Sequence, residues 1–208
     1  VLRLKQDFGK ENNIGFFATY RGVPEQKNFV GSFDGRFKFT PKITSQFQLI
    51  GTHSRACFFE SSFEAALDPV QAQRNRDICA TGRTPNPVDP NLTTGTNNNY
   101  RTGNGVGYYF NMDYTEKNSG WFFEVGGRSK DFRADAGFTR RTNSNFAFFM
   151  HRNSTESKPK ASIIKIDWRK FSGVDYDWNG RLQGWNVGNN FNFALQRSIF
   201  IWAEAGMF

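Results

Sequence analysis

The chain has 208 residues, a formal net charge of +8, 24 Phe and 20 Gly, and its mean hydropathy is −0.63. Its apolar residues are largely aromatic and singly spaced, so no run approaches the roughly 18 residues that a membrane-spanning helix needs. Its basic residues form neither a run nor a helical stripe of the kind that binds nucleic acid. No break in composition divides the chain, and we expect one unit over 1–208.

The first predicted elements are strands at 2–8, 13–21 and 28–40. The third contains "NFVGSFDGRFKF", in which every second residue from Phe29 is Phe or Gly. Asp34, Arg36 and Lys38 lie at the other parity. Because successive side chains of a strand point to opposite faces, this strand has an aromatic face and a charged face.

Seven more strands are predicted, at 42–54, 104–115, 120–128, 144–152, 161–171, 181–194 and 198–208. Segments rich in Gly, Pro, Asn and Ser separate them and fit hairpin connections, which indicates an all-β antiparallel meander of about ten strands. The segment 129–143 has room for one more strand, which would move every later loop to the opposite end of the sheet.

Two architectures fit this alternation. A soluble β-sandwich buries the aromatic face and exposes the charged face to water. A transmembrane β-barrel turns the aromatic face to lipid and the polar face to its lumen. Three features favour the barrel: strands of about ten residues, aromatic residues near strand ends at Tyr20, Tyr114, Trp168 and Trp202, and an alternation of short turns with longer loops.

The barrel interpretation assigns a side to each residue. The residues predicted to line the lumen are Arg21, Asp34, Arg36, Lys38, Asp113, Glu124, Arg128, Lys165, Asp167 and Arg169. The aromatic residues predicted to face lipid are Phe29, Phe33, Phe37, Phe39, Tyr108, Phe110, Trp121, Phe123, Trp168 and Trp185. We expect turns at 40–42, 116–119, 153–160 and 195–197 on the periplasmic side, and loops at 55–103, 129–143 and 172–180 on the extracellular side.

The segment 55–103 is the longest without a predicted strand, and it holds both cysteines, Cys57 and Cys79. In an oxidising compartment we expect these two to form a disulfide, which would contribute on the order of 3 kcal/mol by restricting the unfolded chain. Two free thiols are the alternative. The loop is interpreted as a plug, a cover or a partner-binding surface, and the sequence does not choose among these roles.

Catalytic and cofactor motifs are not found. The glycines of "GNGVG" at 103–107 open a strand and not a helix, so they offer no phosphate-binding helix terminus. His151 with Asn153 or Ser154, and His53 with Ser54, are the only local sets that suit hydrolysis, and neither histidine has metal-ligand spacing to the cysteines. We therefore predict no enzymatic activity, no cofactor and no metal.

The stretch "GYYFNMDYTEKNSGWFFEVGGRSKDFRADAGFTRR" at 107–141 resembles a bacterial family whose C-terminal region is an outer-membrane barrel of unknown function. The segments "NNIGFFATYR", "NFVGSFDGRFKF" and "SQFQLIGTHS" fit the same pattern, so the resemblance covers most of the chain except 55–103. Members of that family usually carry a carbohydrate-binding-like module before a larger barrel. The resemblance implies a piece of a larger barrel in the outer membrane of a Gram-negative bacterium.

These observations predict a channel or a transport or binding component for a polar solute, within a larger complex. Its expected partners are outer-membrane lipid and other outer-membrane or periplasmic proteins, with no nucleic acid. One alternative is a non-conducting scaffold whose 55–103 loop binds a partner or a glycan. The other is a soluble β-sandwich that binds carbohydrate or nucleic acid through its aromatic and basic faces.

Overall fold

The computed structural model describes residues 1–23, 26–57, 83–85, 93–96, 100–134 and 141–207. Within these ranges the chain is almost entirely β-structure, with one short 3₁₀ turn at Gln196–Ser198. The strands are β1 (Leu2–Phe8), β2 (Asn12–Val23), β3 (Gln26–Thr40), β4 (Ile43–Cys57), β5 (Arg83–Pro85), β6 (Thr93–Thr96), β7 (Tyr100–Thr115), β8 (Ser119–Arg128), β9 (Ser144–Ser154), β10 (Ile163–Tyr176), β11 (Leu182–Leu195) and β12 (Phe200–Met207).

Ten of these strands form one sheet in the order β1-β2-β3-β4-β7-β8-β9-β10-β11-β12, and each pairs antiparallel with the next. The predicted antiparallel meander of ten strands is therefore confirmed. Among the described residues the first and last strands do not pair with each other, so the sheet is open. The remaining two strands, β5 and β6, form a separate two-stranded ribbon.

Two predicted loops are shorter than the sequence indicated. Strand β4 continues to Cys57 and β7 begins at Tyr100, and the short β5–β6 ribbon lies inside the segment predicted to lack strands. Strand β10 continues to Tyr176, so the predicted loop at 172–180 is wrong and only 177–181 connects β10 to β11. Ser172 and Gly173 are poor strand formers, but Phe149 and Phe148 of β9 and Val187 and Asn186 of β11 supply partners on both sides.

No strand lies between β8 and β9 in the sheet, because the two pair directly and Arg128 lies opposite Ser144. The later connections therefore lie at the ends of the sheet that the sequence predicted for them. Residues 135–140 of the segment connecting β8 to β9 lie outside the described residues. The turn end of the sheet carries the connections 9–11, 41–42, 116–118, 155–162 and 196–199. At the loop end β2 is followed by β3, β4 by β7 in the sheet, β8 by β9 and β10 by β11.

The sheet has almost no apolar core. Among the described residues only Val30 and Phe132 are buried hydrophobic residues, whereas Asn28, Ser32 and Thr52 are buried polar residues. Many large apolar side chains are instead exposed, from Leu2 and Leu4 in β1 to Trp185 in β11. No helix in the described part of the chain is long and apolar enough to cross a membrane.

Candidate functional site: the polar face

All ten residues predicted to line a lumen lie on one face of the sheet, here called the polar face. The strand register fixes this placement: Arg21 lies opposite Asn28, Asp34 opposite Gln48, and Gln48 opposite Tyr109. Further along the sheet, Asn111 lies opposite Glu124, and Arg128 opposite Gly107. The sequence pattern thus identified residues that share a surface, and their contact with a lumen stays a prediction.

The predicted lipid-facing aromatic residues, other than Phe39, lie on the opposite face, here called the aromatic face. Phe39 sits at the irregularity between Lys38 and Thr40 and is 62% exposed. Rings on this face pack along and across strands, with centroids 6.0 Å apart for Phe37 and Phe47 and 5.4 Å apart for Trp168 and Phe191. Trp202 does not belong to this face, because it lies opposite Asn192 on the polar side.

Ion pairs and hydrogen bonds cross the polar face between strands. Arg3 forms a two-point ion pair with Asp34, whose Oδ2 is 2.8 Å from Nη2. The Tyr109 hydroxyl donates to Glu124 at 2.9 Å, and the Asn111 amide donates to that hydroxyl at 3.0 Å. These links join β1 to β3 and β7 to β8, and they hold polar side chains in defined positions.

Four residues of this network were not among those predicted to line the lumen: Arg3, Tyr109, Asn111 and Arg152. Arg152 lies 3.1 Å from Asp113 and also donates to Thr115 Oγ1, so it connects β9 to β7 across β8. The polar parity of β9 also carries Phe146, Phe148 and Met150, so its sequence lacks the alternation that marks a polar face.

Residues 129–134, here called the inner segment, fold back against the polar face at the loop end. Val106 N donates to Ser129 Oγ at 2.9 Å, and Ser129 N donates to Val106 O at 2.9 Å. Asn28 Nδ2 donates to Arg133 O at 2.9 Å, and Arg133 N donates to Thr52 Oγ1 at 3.3 Å. The segment therefore makes polar contacts with β3, β4 and β7.

Three alternate glycines of β7 make room for the inner segment. A Cβ atom on Gly105 would lie 2.3 Å from Phe132 Cα, far inside any permitted contact. A Cβ on Gly107 would lie 2.9 Å from the Phe132 ring, and one on Gly103 would lie 3.0 Å from Asp131 Cβ. The glycines of "GNGVG" thus serve a close approach between backbones, as glycine within a strand often does. The sequence signal for this close approach was the placement of glycine at every second residue, 103, 105 and 107.

Two cavities lie on the polar face away from the inner segment. One, of about 480 Å³, is lined by side chains that include Arg3, Lys5, Asp34, Arg36 and Tyr109. The other, of about 220 Å³, lies at the turn end and is called the turn-end cavity. Its charged lining residues are Glu116, Lys117, Arg152, Lys165, Asp167 and Arg169.

In the two histidine sets suggested for hydrolysis, each histidine and its neighbouring serine lie on opposite faces of the sheet. His53 Nδ1 lies 2.7 Å from Asn104 Oδ1, while the Ser54 hydroxyl, on the other face, donates to Gly103 O. His151 lies 3.3 Å from the Asn153 amide, and Ser154 is on the opposite face. Within the described ranges no group of three or more His, Cys, Asp or Glu side chains is placed to hold a metal.

The predicted disulfide remains a prediction. Cys57 is the last residue of β4, where its backbone lies opposite Tyr100. Cys79 and most of the 55–103 loop lie outside the described residues.

Comparisons with known proteins add no family to this description. No protein-family model and no curated protein matches the chain. The function is therefore inferred from the two faces of the sheet.

Proposed function

We propose that this chain forms part of a transmembrane β-barrel in a bacterial outer membrane, and that its polar face lines a path for a polar solute. One observation carries the proposal: the aromatic face is exposed although it holds the largest side chains. Phe29, Phe33 and Leu49 are 47%, 44% and 55% exposed. Contact with water would forgo roughly 1.5–3 kcal/mol for each such side chain that could be buried, whereas contact with lipid would not.

Strand length and backbone pairing support the same proposal. A tilted membrane-crossing strand needs about 9–11 residues, and β2, β3, β4 and β7 have 12, 15, 15 and 16. Each strand of the sheet pairs with the next from β1 to β12, so the strands hydrogen-bond to one another within the sheet. In a bilayer this pairing is required, since an unpaired group in hydrocarbon costs several kcal/mol.

The soluble β-sandwich has less support. A sandwich packs the apolar faces of two sheets against each other, and here the ten long strands belong to one sheet. The scaffold alternative depends on the 55–103 loop and stays a prediction. Outer-membrane lipid and neighbouring outer-membrane or periplasmic proteins are the partners that the barrel proposal implies, with the aromatic face as the lipid contact.

Planar-bilayer recording tests the proposed path. We expect the purified protein to insert from detergent and to give steady stepwise conductance. We also expect the variant Gly105→Val to conduct more than the wild type, because the new side chain displaces the inner segment from the polar face. Gly51→Val is the matched control: it lies on β4 opposite Val106, and a Cβ there meets no atom within 4 Å.

The outcomes separate the alternatives. Insertion without conductance in the wild type and in Gly105→Val would contradict the path and favour the scaffold. A protein that stays monomeric and soluble without detergent would contradict the membrane assignment itself.

A further inference from the structure

The register of β9 and β10 sets two arginines directly against each other on the polar face. Arg152 and Arg169 are cross-strand partners, and both line the turn-end cavity. Directly opposite side chains have Cβ atoms about 5 Å apart, and like charges at that position are destabilising. Such a pair needs compensation by negative charge.

Within the part of the chain that the structure describes, a carboxylate pairs with only one of the two arginines. Arg152 has Asp113 at 3.1 Å. The other cations of the cavity also have carboxylates: Lys165 lies 2.8 Å from Asp167, and Lys117 lies 2.9 Å from Glu156. Among the described residues Arg169 has no ion pair.

The neighbours of Arg169 on the next strands do not supply the missing charge. Its partner on β11 is Asn190, and the partner of Asn190 on β12 is Glu204. Glu204 is therefore two strands away, about 10 Å across the sheet. The Arg169 guanidinium is exposed towards the cavity with its donors available.

We propose that the turn-end cavity binds an oxyanion of the phosphate class, with Arg169 as its principal ligand and Arg152 completing the positive site. A guanidinium presents paired N–H donors that match two phosphate oxygens. The cavity of about 220 Å³ has room for a small oxyanion and also presents Ser154 and Asn118. This inference rests on the proposed function in one respect, that the polar face is open to solutes, and it assigns their chemical class as anionic.

Phosphate binding is measurable without any conductance. The protein in a non-ionic detergent is titrated with inorganic phosphate and followed by phosphorus-31 line broadening, which reports millimolar affinities. We expect Arg169→Gln to bind at least about tenfold more weakly, since a hydrogen bond to a charged group is lost. Arg169→Lys should bind better than Arg169→Gln, because it keeps the charge without the paired donors.

The matched control is Lys170→Gln, which removes the same charge from the adjacent residue. Lys170 lies on the aromatic face, with Nζ 3.9 Å from the centre of the Trp168 ring. We expect phosphate binding to be unchanged in this variant. A parallel titration with a soluble short-chain phosphatidylglycerol tells a lipid headgroup from a free oxyanion as the source of the phosphate.

Binding of either compound that weakens in Arg169→Gln and not in Lys170→Gln supports the site. Binding that is absent, or equally strong in Arg169→Gln, overturns it. Since the titration does not depend on current, a conducting protein that binds no phosphate overturns only the site. A non-conducting protein that binds it overturns only the path.

Discussion

Gly105 decides how closely the inner segment approaches the sheet. Its missing side chain leaves the space that Phe132 occupies, and Phe132 is one of two buried hydrophobic residues in the described part of the chain. Arg128 then stacks over the Phe132 ring at 5.8 Å. The glycine thus allows an aromatic ring and a guanidinium to pack together at the polar face, and the inner segment narrows any path along that face.

At the turn end, single side chains link neighbouring turns. Lys42 donates to the carboxylate of Glu116, and the Tyr114 hydroxyl donates to the same carboxylate at 2.5 Å. Thr115 N also donates to Lys42 O at 2.8 Å. These contacts join the β3–β4 turn to the end of β7 and to the β7–β8 turn.

The Lys42–Glu116 pair predicts a pH dependence. The hydrogen bond from Lys42, and then that from Tyr114, lower the pKa of Glu116 below its ordinary value of 4.5. Because the pKa is lower in the folded than in the unfolded protein, the contact stabilises the fold above that ordinary value. This stabilisation is lost as the pH falls through the lowered pKa. In Lys42→Met, carbon-13 NMR of the labelled carboxyl should show the Glu116 pKa rising towards 4.5.

Glu156 is the internal control for this titration. Hydrogen bonds from Lys117 and Asn118 lower its pKa, and Lys42 is not one of its hydrogen-bond donors. Its pKa should not move in Lys42→Met. An unchanged Glu116 pKa in that variant, or an equal shift of both carboxyls, would contradict the assigned contact.

At the scale of one strand, β4 offers adjacent residues on opposite faces. Leu49 is 55% exposed on the aromatic face, beside Phe33 on one side and Tyr108 on the other. Gln48 is on the polar face between Asp34 and Tyr109. The two residues are adjacent in β4, so in a barrel they would lie at nearly the same depth in the bilayer. The barrel proposal places Leu49 against lipid and Gln48 against the polar path.

Substituting arginine at Leu49 and at Gln48 should therefore change the free energy of unfolding by different amounts. We expect Leu49→Arg to lower the free energy of unfolding in lipid vesicles by about 2–4 kcal/mol, the cost of a lipid-facing cation near the bilayer centre. Gln48→Arg should change it little, because Asp34 lies opposite. Urea titration followed by tryptophan fluorescence measures both variants. Equal and small effects would indicate that the aromatic face contacts water.

The contrast between β3 and β9 explains how far sequence reasoning extends. In β3 the alternation of Phe and Gly with charged residues predicted both faces, and the register agrees with it. In β9 aromatic residues occupy both parities, so Arg152 gave no signal although it belongs to the polar network. The pairing of Arg152 with Arg169 depends on register between strands, which no single-strand pattern contains.

The contact of the inner segment with the sheet could not be predicted from the sequence pattern either. Its residues lie in a connection predicted to be an external loop. Their partners, Asn28 and Thr52, are 105 and 81 residues from Arg133 along the chain. Local periodicity predicts that a strand exists and which face each side chain occupies. Contacts such as those of Arg133 depend instead on which strands become neighbours in the sheet.

At the scale of the whole molecule, the open sheet has two edges. Within the described ranges β1 and β12 each pair on one side only, and every residue of both strands is exposed. Leu2 and Leu4 of β1 project on the aromatic face, as do Ile201 and Met207 of β12. In a bilayer, unpaired backbone groups along these edges would be too costly to leave uncovered. The barrel proposal therefore requires that both edges pair with further strands or with each other.

Hydrogen exchange tests this requirement directly. In lipid vesicles we expect the amides of Leu2–Phe8 and Phe200–Met207 to be protected as strongly as those of β3 and β4, since closure gives each edge a second partner. Deuterium uptake is read by mass spectrometry on peptides from each strand. The same protein in mild detergent, with native mass spectrometry, tells one closed chain from several associated copies. Edge strands that exchange like free peptides in lipid, while β3 and β4 stay protected, would contradict closure and with it the barrel.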